Sequence, residues 1–440
     1  MNGWFDSSSM RLEQLTFAEH GHTLNPRQVF TPDGNGVCFD TRNADPEIAS
    51  TDRIGLCDWR SGATHLVYHV PNPSPHGPGI GAVVCHPSQS LLLFIHGLRN
   101  CDAKRPYGMT RRFGAWLEFA DPMASSAMQP AESRCVDRPC PWGALRGGTH
   151  AHGWSRDGTA ISFTYNDAVV LARSVRGQGP EDRRTVGVML VGDAAPDDRY
   201  EAADAENFQG RCWSMVVASV RDAPLPGSDE IASAREECWL GSSSHRLAFL
   251  GRVHSVSGGY HDEIFLAEWP IEFSKPTGRA SLDDQGRLMP PDSVSVRRLT
   301  RTDHRNYPGV DGPRNWLLSS PDGQTLMAPM RDDRGIVQAA AIDVDSGKVS
   351  MLSDLPYSLE NQLVLDRAGQ RLSFVANSRI GILHLSSGQV AWLPEVRETV
   401  ASIPGAVHFL PDGSGVLFHA VPRGAHPPWQ QLWSLRMRLV

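Results

Sequence analysis

At 440 residues, with 42 Lys and Arg against 49 Asp and Glu, the chain has a formal net charge of −7 and no long basic run, which removes the electrostatic footprint that nucleic-acid binding needs. Its 40% hydrophobic and 21% charged residues are too apolar for disorder, and its length exceeds a usual single core unless a repeat lets one closed ring absorb it. No stretch approaches the roughly 20 apolar residues of a membrane helix, and no basic n-region with an apolar h-region opens the sequence. The expectation is a cytoplasmic protein with neither a membrane nor a nucleic-acid partner.

The 41 glycines and 32 prolines suit many short strands joined by turns. In chain order one pattern recurs, a polar Pro-Asp-Gly type of turn followed by an alternating apolar strand. It reads "TPDGNGVCFD" (near 30–40), "HPSQSLLLFI" (85–95), "SRDGTAISFT" (154–164), "SSSHRLAFLG" (240–250), "SPDGQTLMAP" (319–329), "DRAGQRLSFV" (365–375) and "LPDGSGVLFH" (409–419). The aligned apolar residues are Phe39, Phe94, Phe163, Phe249, Ala328, Phe374 and Phe418. Where a turn Asp is present (Asp33, Asp157, Asp322, Asp412) it stands six residues earlier. An Asp-Gly pair tolerates the positive φ of a tight hairpin, so each copy predicts two antiparallel strands. After Phe374 the run "RIGILHLSSGQVAWLP" turns again and supplies two more. Seven such units predict an all-β chain, a seven-bladed β-propeller of four-stranded antiparallel blades over residues 1–440.

The segment "MRLEQLTFAEH" alternates weakly and is expected to give the outer strand of the last blade, locking the ring. The insertion 180–207 is expected to contribute one strand, "TVGVMLV", and then an acidic surface loop. The eight cysteines, all within the first 240 residues, are expected mostly as buried free thiols. Cys135 and Cys140 lack the second pair that a zinc ribbon needs.

Blade-opening strands line the channel of a propeller, so residues at a fixed offset before each turn can converge there. At that offset stand Pro26, Gly81, His150, Glu236, Asn315, Asn361 and Gly405. For any single member the simpler role is to hydrogen-bond one blade start to another. The densest polar stretch is "RGGTHAHGW", where strand alternation puts His150 and His152 on one face, a spacing that lets two imidazoles share a metal. Two further clusters follow, "GRVHSVSGGYHDE" with His254, Tyr260 and His261, and "RTDHRNYPGVDGPRNW" with His304, Arg305, Asn306, Tyr307, Arg314 and Asn315. There is no G-x-S-x-G elbow, no phosphate-binding Gly loop with Lys-Ser/Thr and no H-E-x-x-H helix.

The segments "THAHGWSRDGTAISF" and "RNWLLSSPDGQTL" resemble the blades of TolB-type propellers, and more narrowly the oligogalacturonate lyase group and a related uncharacterised bacterial family. That resemblance implies several His and a Gln around a divalent cation, Mn²⁺ being one candidate, at the channel mouth. A further His or Arg would assist β-elimination. The ligand role carries over onto His150 and His152, and less directly onto His254 and His304; no Gln stands in a matching His-rich segment. The implied function is a divalent-cation-dependent lyase on small acidic, uronate-containing saccharides. In it His254 or His304 is the base, Arg314 pairs with a carboxylate, and Arg146, Arg305, Asn315 and Asn361 contact substrate. The alternative is a non-catalytic TolB-like propeller that binds a protein or peptide ligand.

Overall fold

A computed structural model describes residues 10–119, 128–192, 194, 205–313 and 316–437. The repeat folds as its turn chemistry requires. In "TPDG", "SRDG" and "SPDG" the Asp side chain accepts the amide two residues on, at 3.1 Å (Asn35 to Asp33), 3.0 Å (Thr159 to Asp157) and 3.0 Å (Gln324 to Asp322). The preceding Thr31, Ser155 or Ser320 donates its hydroxyl to the same carboxylate, and Gly34, Gly158 and Gly323 take φ between 71° and 73°. Where the second copy has no Asp, His86 Nδ1 takes over, accepting the amides of Ser88 and Gln89 at 3.1 and 3.0 Å.

Each turn joins the first and second strands of a blade, and seven antiparallel blades make a β-propeller. Blade 1 has Gly36–Asp40, Arg53–Asp58 and Thr64–His69, with bridges from Thr23 and Phe30 as its inner edge. Blade 2 runs from Ile80–Cys85 to Gln129–Pro130, blade 3 from Gly147–Trp154 to Cys212–Val216, and blade 4 from Ser233–Trp239 to Ser295–Arg298. Blade 5 runs from Leu318–Ser319 to Val349–Met351 and blade 6 from Val364–Leu365 to Val390–Trp392. The last blade closes as expected: its strand Gln431–Met437 pairs antiparallel with Met10–Gln14, Leu12 opposite Leu435.

The repeated aromatics are the core of each blade: Phe39, Phe94, Phe163, Phe249, Phe374 and Phe418 are all essentially inaccessible. In three blades the ring lies over a glycine directly across the ladder, Phe39 on Gly55, Phe163 on Gly187 and Phe374 on Gly381. A Cβ on any of these glycines would stand 2.3 to 2.4 Å from the ring.

Of the insertion, "TVGVMLV" is the strand Thr185–Val191, whereas most of its acidic half lies outside the described residues. The sequence reading did not foresee the helix Ala168–Val175, capped by Asp167, which accepts the amides of Val169 and Val170. All eight cysteines are free and all but Cys101 are buried. Among the described residues no helix is long and apolar enough to cross a membrane.

Candidate functional site

In each blade the first-to-second and third-to-fourth turns lie on one face of the ring, and the second-to-third loops and blade-to-blade links on the other. By chain polarity Arg112, Arg184, His261 and His304 fall at this second, mouth face: Arg112 opens a third strand, Arg184 precedes one, His261 is near the start of one, and His304 lies on the link to blade 5. His150 lies in the first half of its inner strand, on the side of the mouth face.

The two histidines of "THAHGW" are separated by a bulge. The ladder to Ala160–Asp167 runs His150 opposite Thr164 and then Gly153 opposite Ser162, and Ala151 takes φ 57° to absorb the extra residue. Ala82 and Glu236 do the same in blades 2 and 4, with φ 55° and 56°. His152 is fully buried toward blade 2, close enough that a Cβ on Gly114 would stand 3.1 Å from its Nε2. Its Nε2 is 2.9 Å from Thr149 Oγ1, whose hydroxyl donates to Glu132 Oε1 at 2.5 Å. Glu132 also accepts the Gly114 amide at 3.0 Å. Burial pushes Glu132 up to about 7 and His152 down to about 3, so the imidazole is neutral and donates from Nε2.

His150 makes no such bond, and its Nδ1 is buried without a partner. Burial first, then the charges of Arg112 and Arg184, hold it well below the ordinary histidine value. Arg112 is 4% exposed. Its Nη1 donates to Tyr107 Oη at 3.2 Å, while Nε and Nη2 have no partner. The half-buried Arg184 has no hydrogen bond or ion pair through its guanidinium among the described residues. Burial and then the nearby Arg112 lower its basicity. Arg27 crosses the axis, donating to Glu237 O at 2.6 Å and Ala151 O at 2.9 Å and lying over Trp316 at 4.7 Å. Arg27 is paired with Glu237 at 3.5 Å, so the guanidinium charge around the neutral, uncommitted imidazole of His150 is that of Arg112 and Arg184.

The other residues singled out by sequence are placed as follows. Arg146 grips Asp167 Oδ2 through Nε and Nη2 at 3.1 and 2.6 Å and also donates to Gly286 O. Asn361 joins two blades, donating to Gly405 O at 2.5 Å and accepting the Val375 amide. His254 stacks on Tyr260 at 4.7 Å, with Nδ1 3.2 Å from Pro224 O. His304 is exposed, and Arg305 donates to Arg331 O at 2.6 Å. Arg314 and Asn315 lie outside the described residues. The two later clusters do meet, but through His261, Glu263 and Asp303, whose ligand atoms lie within 4.8 Å of one another. Sequence reasoning missed Arg27, Arg112, Arg184, Glu132 and Glu263.

A divalent cation fits neither place. Around Glu263 the cationic position is filled: Arg298 Nη2 is 3.0 Å from Glu263 Oε1 and 3.1 Å from Asp303 Oδ2. Thr302 donates to Glu263 through both its amide and its hydroxyl, at 2.7 and 2.8 Å, and Thr300 bonds the other oxygen. Burial alone would raise Glu263, but donors from His261, Thr300 and Thr302 outweigh it and bring it to about 2. At His150 and His152 the two imidazoles are neutral, as ligands must be, yet Arg112 and Arg184 repel a cation and no carboxylate joins them in a set of three among the described residues.

Over 410 residues the chain is 33% identical to the Uncharacterized protein YidR of Escherichia coli (strain K12), covering 91% of this chain and 93% of that one. The chain belongs to the YidR family. A family model described as a protein of unknown function, DUF3748, matches residues 79–200. That stretch of the YidR-family chain carries Arg112, Glu132, Thr149, His150, His152 and Arg184. Among solved structures, an oligogalacturonate lyase in complex with manganese superposes with a TM-score of 0.55 at 10% identity, covering 97% of this chain and 93% of that one. The oligogalacturonate lyase of Vibrio parahaemolyticus gives 0.50 at 10% identity, covering 98% and 97%. A puromycin hydrolase gives 0.51 at 14% identity, covering 92% of this chain and 50% of its own. At such identities the likeness is one of fold, the seven-bladed propeller.

Proposed function

We propose that this protein is a cytoplasmic carbohydrate-active enzyme of the lyase class, which takes a small uronate-bearing saccharide into the mouth of its channel between blades 2 and 4. The observation that carries the reading is the Arg112 guanidinium, buried beside a second arginine with two of its nitrogens lacking any partner. A buried, uncompensated cation costs several kcal/mol, and a carboxylate ligand offsets that cost.

The chemistry follows from the same groups. Neutralising a uronate carboxylate acidifies the proton on the adjacent C5 carbon. The imidazole of His150, kept neutral and free of hydrogen bonds, removes that proton. The C5–H electron pair becomes the C4=C5 double bond, the C4–O bond breaks, the leaving oxygen takes a proton from water, and the His150 imidazolium returns its proton to water. His150 takes the base's role here in preference to His254 and His304, because His254 is stacked and hydrogen-bonded and His304 is exposed. A divalent-cation-dependent route would need a ligand set that His150 and His152, beside Arg112, do not make.

The test is turnover of di- and trigalacturonate, followed by the near-ultraviolet absorbance of the conjugated unsaturated product. His150→Ala is expected to lower the rate by about 10²-fold or more with binding retained. Binding without turnover in the unaltered protein would replace the enzyme with a ligand-binding propeller.

A further inference from the structure

Three arginines in this chain can be compared at the same edge. Arg42 grips Asp40 through Nε and Nη2 at 2.7 and 2.9 Å, and Arg146 grips Asp167 through the same two nitrogens at 3.1 and 2.6 Å. In Arg112 that Nε/Nη2 edge is buried and bonds to nothing. The edge presents two parallel donors that match the two oxygens of a carboxylate. Its remaining Nη1 is fixed by Tyr107 Oη, so the fork is held in place before any ligand arrives. Arg184 lies within electrostatic reach of Arg112 and His150, and also of Glu236 and Asp182, but its guanidinium makes no hydrogen bond or close ion pair among the described residues.

We propose that Arg112 and Arg184 receive a ligand carboxylate directly, two guanidinium groups neutralising it without a divalent cation. The inference rests on the reading of the mouth as the functional site, but not on the saccharide or on elimination. The charges that act on His150 are those of Arg112 and Arg184, so a dication beside it is repelled and a carboxylate attracted, while the nearest acids are engaged elsewhere, Glu237 with Arg27 at 3.5 Å and Glu132 with Thr149. Arg112 is a binding residue through its Nε/Nη2 edge. Tyr107 is a positioning residue, acting only through Arg112.

The experiment is calorimetric titration of D-galacturonate, digalacturonate, citrate and, as a neutral control, D-galactose into protein stripped with EDTA and desalted. Each titration is repeated with Mn²⁺ restored and with Arg112→Gln and Arg184→Gln. The expected result is uronate binding by the stripped protein, at least tenfold weaker binding of galactose, and no strengthening by Mn²⁺. Each variant should weaken uronate binding at least tenfold, since a bond to a charged group is lost. Arg112→Gln should melt at or above the temperature of the unaltered protein, because a partnerless buried charge is removed. The half-buried Arg184→Gln tests the same contact where packing is not in question. Uronate binding that requires Mn²⁺ would overturn the inference and leave the saccharide reading standing. Citrate binding to stripped protein that Arg112→Gln abolishes, with no uronate binding, would uphold the inference and remove the saccharide. If no anion binds with or without Mn²⁺, both fall.

Discussion

His150 and His152 stand two residues apart and have separate roles because a single alanine between them takes a left-handed backbone conformation. The pair was legible in the sequence as "HAH", but strand alternation predicted one shared face, and nothing in an Ala announces a bulge. His152 belongs to a buried chain, Glu132 to Thr149 to His152, that ties blade 3 to blade 2. Replacing His152 with Ala leaves Thr149 short of a donor and opens a gap in that interface. Stability should fall by about 1–3 kcal/mol, read by denaturant melts, while His150→Ala, which breaks no hydrogen bond, should lower it by less than His152→Ala does. Equal losses in the two variants would contradict this division. Arg112 and Arg184 were illegible for a different reason. They sit in ordinary strand contexts, "TRRFGAWLE" and "DRRTVGVML", and what marks them is the lack of a partner, which only a fold can reveal.

The hairpin was the most legible element, because the residues that fix it are neighbours in the chain: the Asp, its Gly and the Ser or Thr two positions earlier. The third strand was less so, since its register against the second depends on a loop of variable length. Its signature is the glycine under the repeated Phe. Gly187 faces Phe163 across the ladder, and a methyl there would stand 2.4 Å from Phe163 Cζ with Met215 O at 2.5 Å behind it. Gly187→Ala should therefore destabilise blade 3 by about 1–3 kcal/mol. Adding Phe163→Leu should recover only part of the loss, because the carbonyl of Met215 remains. In blade 5 the equivalent pair is Ala328 and Ala340, so the aromatic-on-glycine solution is one of several. The capped helix Ala168–Val175 escaped prediction because "DAVVLARSV" follows the strand without a break in apolar character.

For the molecule as a whole, ring closure was legible from the repeat count and a weakly alternating N-terminal segment, and the structure pairs that segment where expected. The charge state of the interior was not, since burial sets it. His22 and His152 are lowered to about 3, and His96 and His408 to about 4, in each case first by burial. Burial likewise raises Glu132 and Glu237 to about 7. For the histidines the folded value lies below the ordinary 6.5, so the unfolded chain takes up protons first and stability is lost as pH falls from 6.5 toward 3. For the two glutamates the sign reverses, and their contribution is full below about 4.5 and is lost as pH rises through 7. Near pH 5 the lowered histidines, His150 among them, outnumber the raised glutamates, so the net effect is loss of stability as pH falls. The melting temperature should therefore drop steeply between pH 6.5 and 4.5, and a flat profile there would show that these histidines are not buried as described.

Closure by the strand Met10–Gln14 also has a consequence for synthesis. Its partner is Gln431–Met437, more than 400 residues later in the chain, so this strand has nothing to pair with until those residues have been made. A chain halted by a stop codon short of residue 431 would hold blades 2 to 4 and all the residues of the mouth, yet would carry two bare sheet edges of the kind that associate with other chains. Frameshift and nonsense alleles that stop translation between the mouth residues and residue 431 should thus behave as complete losses through aggregation or proteolysis of the product, although every residue proposed for function has already been translated.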